Sequence, residues 1–322
     1  WSGGRAVGAT MESGSRLHVY SGGFSSAATI QSASVMKVWG SGSVDSGTAV
    51  KNGAVEHVYS SAATISGSVG SGGLLSVFGG GTVALSKTVD SGGLVHIHEG
   101  ASIISATLTS GSVEKVWGTG SLASAATIQV GASEYVYSGA SALGATVFGE
   151  QWIWDQGTTA TNTTVHSGGA VVVHGGGMIV GGDMYGGQLT MGSGASAGGT
   201  VTVFGSSLFT LHGTGDIGRV SGASSGGLAI SGFTSGMGTI DFDDIDYTNG
   251  VTTAVWSPFS AGATSGTLTI TSGTLHAAVT LFGIAVASND QFQLGTDGHG
   301  TTVTTTASPA ASLSELLAPP HA

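Results

Sequence analysis

The chain has no cysteine. That removes disulfides, thiolate metal sites and cysteine nucleophiles together. Charge is scarce: 8% of the 322 residues are charged, with 7 Lys plus Arg against 18 Asp plus Glu. A net charge of −11 with so few cations excludes nucleic acid as a partner, because that interaction needs a basic footprint. It also speaks against docking on an anionic membrane surface. No run of 18 apolar residues occurs, so no membrane insertion through a helix is expected. Four prolines are too few for a polyproline or mucin-like chain. Neither a G-x-S-x-G nor a P-loop pattern is present. The chain opens at Trp1 without Met or signal peptide, as a mature or trimmed form would.

What is abundant is glycine, 59 residues, and it has no three-residue period, which excludes collagen. The 40% hydrophobic content argues against disorder. Instead the chain repeats itself. Met11, Ile30, Val50, Val69, Val89, Leu108, Ile128, Val147, Val165 and Met184 form one apolar column, spaced 19 or 20 residues apart with a single step of 18. A β-branched column runs half a period behind it: Val19, Val38, Val58, Val77, Ile97, Val116, Val136, Ile153 and Val173. Each of these precedes a ring: Tyr20, Trp39, Tyr59, Phe78, His98, Trp117, Tyr137, Trp154 and His174. Glycine and serine follow, as in Ser21-Gly22-Gly23 and Gly40-Ser41-Gly42.

Two short β-rich runs closed by Gly-rich turns cannot bury an apolar side alone, but stacked copies can. The pattern therefore predicts an all-β, parallel β-solenoid with 19–20-residue rungs, right-handed by the usual preference. Regular repeats are expected over 1–185, irregular continuing rungs over 186–238, and a β-rich C-terminal cap over 239–306. A Pro/Ala-rich tail over 307–322 would follow, holding a short helix at Ser312–Leu317.

The repeat, carried by Ala9–Gly23, Ala28–Gly42, Ala106–Gly120 and Ala145–Trp154, resembles the AIDA-type repeat of bacterial autotransporter passengers and related surface adhesins. Residues 239–304 look like the C-terminal segment of α-proteobacterial β-helix surface proteins. The resemblance implies a secreted or cell-surface β-solenoid without catalytic residues, acting in adhesion, a surface fibre or a biofilm matrix.

Four sets of residues are candidates for contact or chemistry. First, if Val19 and its equivalents face inward, the next residue faces out. Trp1, Tyr20, Trp39, Tyr59, Phe78, Trp117, Tyr137 and Trp154 would then form an exposed strip. Such a strip serves lateral self-association, stacking of polysaccharide rings, or the solenoid's own stability. Val35, Val55, Leu74, Leu94 and Val113 also look inward, which would require a bulge. Second, Asp241, Asp243, Asp244 and Asp246 are a possible Ca²⁺ site or a solvated acidic cap; no other cofactor is expected. Third, Glu114 and Glu134 are equivalent positions on adjacent turns and Glu56 shares their column. This is where the paired carboxylates of a polysaccharide lyase or hydrolase would meet. His18, His57 and His96, two residues before the ring, read as solvated. Fourth, Trp1-Ser2-Gly3-Gly4 matches Tyr20-Ser21-Gly22-Gly23. The chain thus begins in mid-rung, and its open edge is expected to dock head-to-tail on another copy. A Thr column (Thr10, Thr29, Thr88, Thr107, Thr127, Thr146, Thr164) reads as a hydroxyl ladder.

Overall fold

The computed structural model describes residues 3–192, 194–204, 207–211, 217–221, 228–231, 239–242, 245–260, 263–282, 292–296, 298 and 300–305. Among them there are strands and turns but no helix. The candidate helix at Ser312–Leu317, the whole tail and Trp1 lie outside the described residues.

Each regular turn of the coil contains three strands. A representative turn has Phe24–Ser26, then Thr29–Ile30, then Val35–Trp39. The first two lie in a 23-stranded sheet that forms one wall, and the third lies in a 15-stranded sheet that forms the other. Each strand pairs in parallel with its equivalent one turn on, like upon like: Val35↔Val55, Val38↔Val58, Trp39↔Tyr59. About ten turns stack this way, the last with strands Met178–Tyr185 and Gln188–Met191. With strands about 4.8 Å apart, the regular coil is roughly 50 Å long.

Between the two short strands the chain turns a corner through one left-handed residue. Gly8, Ala27, Gly47, Ser66, Ser86, Ser105, Ala125, Gly144 and Asn162 occupy this corner, with φ between 51° and 72°. For Ala and Ser this backbone costs about 1–2 kcal/mol. The corner N–H groups offset it by donating to the next turn: Ala27 to the Ser46 carbonyl at 2.7 Å, Ser66 to Leu85 at 2.8 Å, Ser105 to Ser124 at 2.7 Å. The hydrogen-bond ladder therefore passes unbroken through a bend.

Both apolar columns read from the sequence point inward and are buried, from Met11 to Met184 and from Val19 to Val173. Strand Val35–Trp39 and its equivalents alternate without a bulge, which corrects one expectation. With Val38 inside, period two puts Met36 inside as well and sends Val35 out. The same alternation places Glu56, Leu75, Val95, Glu114 and Glu134 in the interior. The outward Val35 set escapes full exposure because its members stack on one another, leaving Val35, Val55 and Val113 half-buried.

Beyond the regular coil the two walls continue. The pairing of Met178–Tyr185 with Ser196–Phe204 shifts register between Val180 and Gly182. Strands Ile217–Ser221, Leu228–Ser231 and Thr239–Phe242 extend the stack in parallel. The stack then ends in antiparallel strands. Leu275–Phe282 adds in parallel to Leu228–Ser231, and Gly266–Ser272 and Thr253–Pro258 fold back on it. On the other wall Thr301–Thr305 runs antiparallel to Thr239–Phe242, and Phe292–Gly295 pairs antiparallel with Thr301–Thr305. Trp256 and Phe292, 6.0 Å apart, tie the two sides together. A final strand carrying Pro258 presents a poor template for a further strand.

Candidate functional site

The outer face of the long-strand wall is a surface of rings. From Trp39 the side chains close on each other turn by turn. Ring centroids are 5.1 Å apart for Trp39 and Tyr59, 5.0 Å for Tyr59 and Phe78, 4.5 Å for Phe78 and His98, and 4.1 Å for His98 and Trp117. Parallel register brings this about: each ring has its equivalent as strand partner on the next turn, at a spacing that matches ring stacking. Tyr20 and Trp39 are 45% and 37% exposed; Tyr59, Phe78, Trp117, Tyr137 and Trp154 are half-buried by their neighbours.

A second ring column, which pattern reading missed, runs two residues earlier along the same face. His57 lies 5.7 Å from Tyr59, and His96 lies 5.4 Å from Trp117. Tyr135 stacks on Trp152 at 6.2 Å, and Trp152 lies 5.6 Å from His174, which itself stacks on Trp154 at 3.5 Å. His57 and His96 are half-buried members of this surface rather than solvated residues. The signal was available, since residues i and i−2 on a strand share a face.

These histidines are held neutral. Burial pushes the pKa of His57, His96 and His174 down, and the nearby Lys37 and Lys115 add to the effect at His57 and His96. His98 drops to about 4, through burial first and the charge of His96 second. At neutral pH these histidines therefore add no charge to the wall, and Lys37 lies over Trp39 at 5.7 Å as a cation–π contact.

The interior holds the carboxylates. In one cluster Thr48 Oγ1 donates to Asp45 at 2.6 Å and Thr64 Oγ1 to the same carboxylate at 3.3 Å. Lys87 Nζ lies 3.7 Å from Glu56. The position between Thr48 and Lys87 in their inward column is Gly67, which has no side chain. In a second cluster Glu114 and Glu134 are strand partners, Gln151 Nε2 donates to Glu134 at 2.5 Å, and Thr163 Oγ1 donates to Gln151 at 3.3 Å. All these carboxylates are fully enclosed. Burial pushes Glu114 well above the ordinary carboxylate range, and Glu134 beside it pushes in the same direction. Burial raises Glu56 and Glu134 to about 7; Lys87 opposes this at Glu56 without cancelling it, as the Gln151 hydrogen bond does at Glu134. Sealed from solvent, Glu114 and Glu134 are out of reach of a polysaccharide chain.

Of the candidate Ca²⁺ ligands, Asp241 is buried and Asp246 is exposed, while Asp243 and Asp244 lie outside the described residues. Among the described residues no three His, Asp or Glu side chains come close enough to hold a metal ion. The Thr column faces outward on the bent wall, with Thr107, Thr127, Thr146 and Thr164 as successive strand partners.

No family model and no curated protein matches the chain. Among solved structures it is similar to the TibC-catalysed hyper-glycosylated TibA fragment. The two share 27% identity over 73% of this chain and 88% of that one, with a TM-score of 0.53. Together with the repeat, this supports an autotransporter-like β-helix.

Proposed function

We propose that this chain is the solenoid part of a secreted or cell-surface bacterial protein that acts without catalysis, as an adhesin that holds polysaccharide on its ring-bearing wall. The observation that carries the reading is the ring ladder itself: an aromatic surface that runs along the coil on successive turns. Its more exposed rings, Tyr20 and Trp39 foremost, offer apolar contact to the C–H-rich faces of sugars. The enclosure of Glu56, Glu114 and Glu134 supports a non-enzymatic role, because these carboxylates meet no substrate. The TibA likeness supports a passenger-type scaffold.

Replacing Trp39, Tyr59 and Phe78 together by Thr tests the reading, since Thr keeps the β preference. Retention on insoluble polysaccharide should fall at least tenfold while the β-rich circular dichroism is kept. Unchanged retention overturns the reading. So does a parent that fails to bind polysaccharide but forms a concentration-dependent oligomer that the triple variant loses, because the wall would then receive a second copy.

A further inference from the structure

The ring ladder does not close at every turn, and the step from Trp117 to Tyr137 is open. Trp117 and Tyr137 are strand partners on adjacent turns, as Trp39 and Tyr59 are, yet their rings do not close on each other. Trp117 packs back on His98 and His96, and Tyr137 packs on Tyr135 at 6.0 Å. Between them lies a shallow depression of 460 Å³, lined by Lys115, Trp117, Tyr137, Ser138 and Asp155.

The lining combines two kinds of group. Trp117 and Tyr137 supply the aromatic surface they do not turn toward each other. Lys115 supplies an ammonium donor and Asp155 a carboxylate acceptor, with Ser138 Oγ 3.5 Å from the latter. The Asp155 charge also reaches Tyr137. Burial, Tyr135 and Asp155, in that order, push the Tyr137 hydroxyl above its usual range; like any tyrosine it is protonated at neutral pH and can donate.

We propose that this gap is a binding subsite for one neutral pyranose unit of a glycan. The proposal rests on the reading of the ring wall as the contact surface and names the ligand class at one place on it. A pyranose has an apolar C–H face and a rim of hydroxyls, matching two aromatic walls with charged hydrogen-bonding groups beside them. Neutral sugars fit better than uronic or sulfated ones. One lining cation and one lining anion offset each other, and a chain of net charge −11 repels a polyanion.

Calorimetry with cellohexaose and β-1,4-mannohexaose as neutral probes, and a hexagalacturonate as the acidic one, tests the assignment. At least one neutral hexasaccharide should bind, and the acidic one should bind at least tenfold more weakly. Asp155→Ala and Lys115→Ala should each weaken neutral binding at least tenfold, with folding checked by circular dichroism. Thr107→Ala on the opposite wall serves as the control. The assignment is overturned if neither neutral probe binds at about 1 mM, a free energy near −4 kcal/mol. Equal binding of the acidic probe, or neutral binding indifferent to both variants, also overturns it. The two readings fail separately. If the triple ring variant loses polymer retention while Asp155→Ala and Lys115→Ala bind hexasaccharide as the parent does, the subsite is wrong and the wall stands. If polymer retention survives ring loss but hexasaccharide binding falls with Asp155, the wall is wrong and the subsite stands.

Discussion

Glu134 shows how one side chain can set a pH dependence from inside a repeat. Its carboxyl is fully enclosed, stacked on Glu114 and hydrogen-bonded by Gln151. Burial raises its pKa from 4.5 to about 7. The folded state therefore holds a proton that the unfolded chain releases at lower pH. Its contribution is fully present below pH 4.5 and is lost as pH rises through about 7. Glu134→Gln keeps the shape and removes the titration. We expect the variant to match the parent near pH 5 and to be more stable at pH 8, by on the order of 1–3 kcal/mol. Urea midpoints of both proteins at the two values measure this, and the difference between them cancels whatever the histidines contribute. A gap that is the same at both pH values would show that Glu134 does not hold the proton.

At the scale of the strand and its turn, the corner decides which substitutions the coil accepts. Gly67 follows the corner residue Ser66 with φ of 87°, and a Cβ built there would sit 2.1 Å from the Thr48 carbonyl oxygen of the turn below. That oxygen belongs to the backbone and cannot swing aside. Gly67→Ala should cost more than about 2 kcal/mol through strain and clash combined. Ser86→Gly acts at a corner with φ of 51°. It relieves the left-handed penalty and adds unfolded-state freedom, so the stability change should stay within about 1 kcal/mol. Chemical denaturation of the two variants separates them, and equal losses would refute the argument. The corner also marks where reading the sequence stops. The inward columns were legible because stacking like on like repeats residue types at one offset. Gly, Ala, Ser and Asn all fill the corner, since a backbone hydrogen bond holds it and no side chain is demanded. The outward Val35 set misled for a related reason: side chains in a ladder shield each other, so an apolar residue there looks like core. That error hid the interior place of Glu56, Glu114 and Glu134, and with it the second ring column, although the first column was legible from its period.

Over the whole molecule, the two walls divide the work. The bent wall closes the coil with small residues and hydroxyls, and the long-strand wall carries the rings. Each turn touches mainly its neighbours, so stability is a sum of local terms and a local insult opens a local region. His98 offers a way to apply such an insult. It sits in the stack between Phe78 at 4.5 Å and Trp117 at 4.1 Å, with a pKa held down to about 4. A depressed pKa means the unfolded chain takes up the proton first. The stability tied to neutral His98 is therefore present above pH 6.5 and is lost as pH falls through about 4. Replacing it with Phe keeps a ring in the ladder and removes the titration. Between pH 7 and 4 the parent should lose more thermal stability than His98→Phe. Hydrogen exchange at pH 4 should place the parent's extra opening in the strands Leu74–Phe78, Leu94–His98 and Val113–Trp117, leaving Ala170–Val173 protected. Equal acid sensitivity in the two proteins, or opening spread evenly along the coil, would show that the ring wall does not behave as a chain of neighbouring stacks.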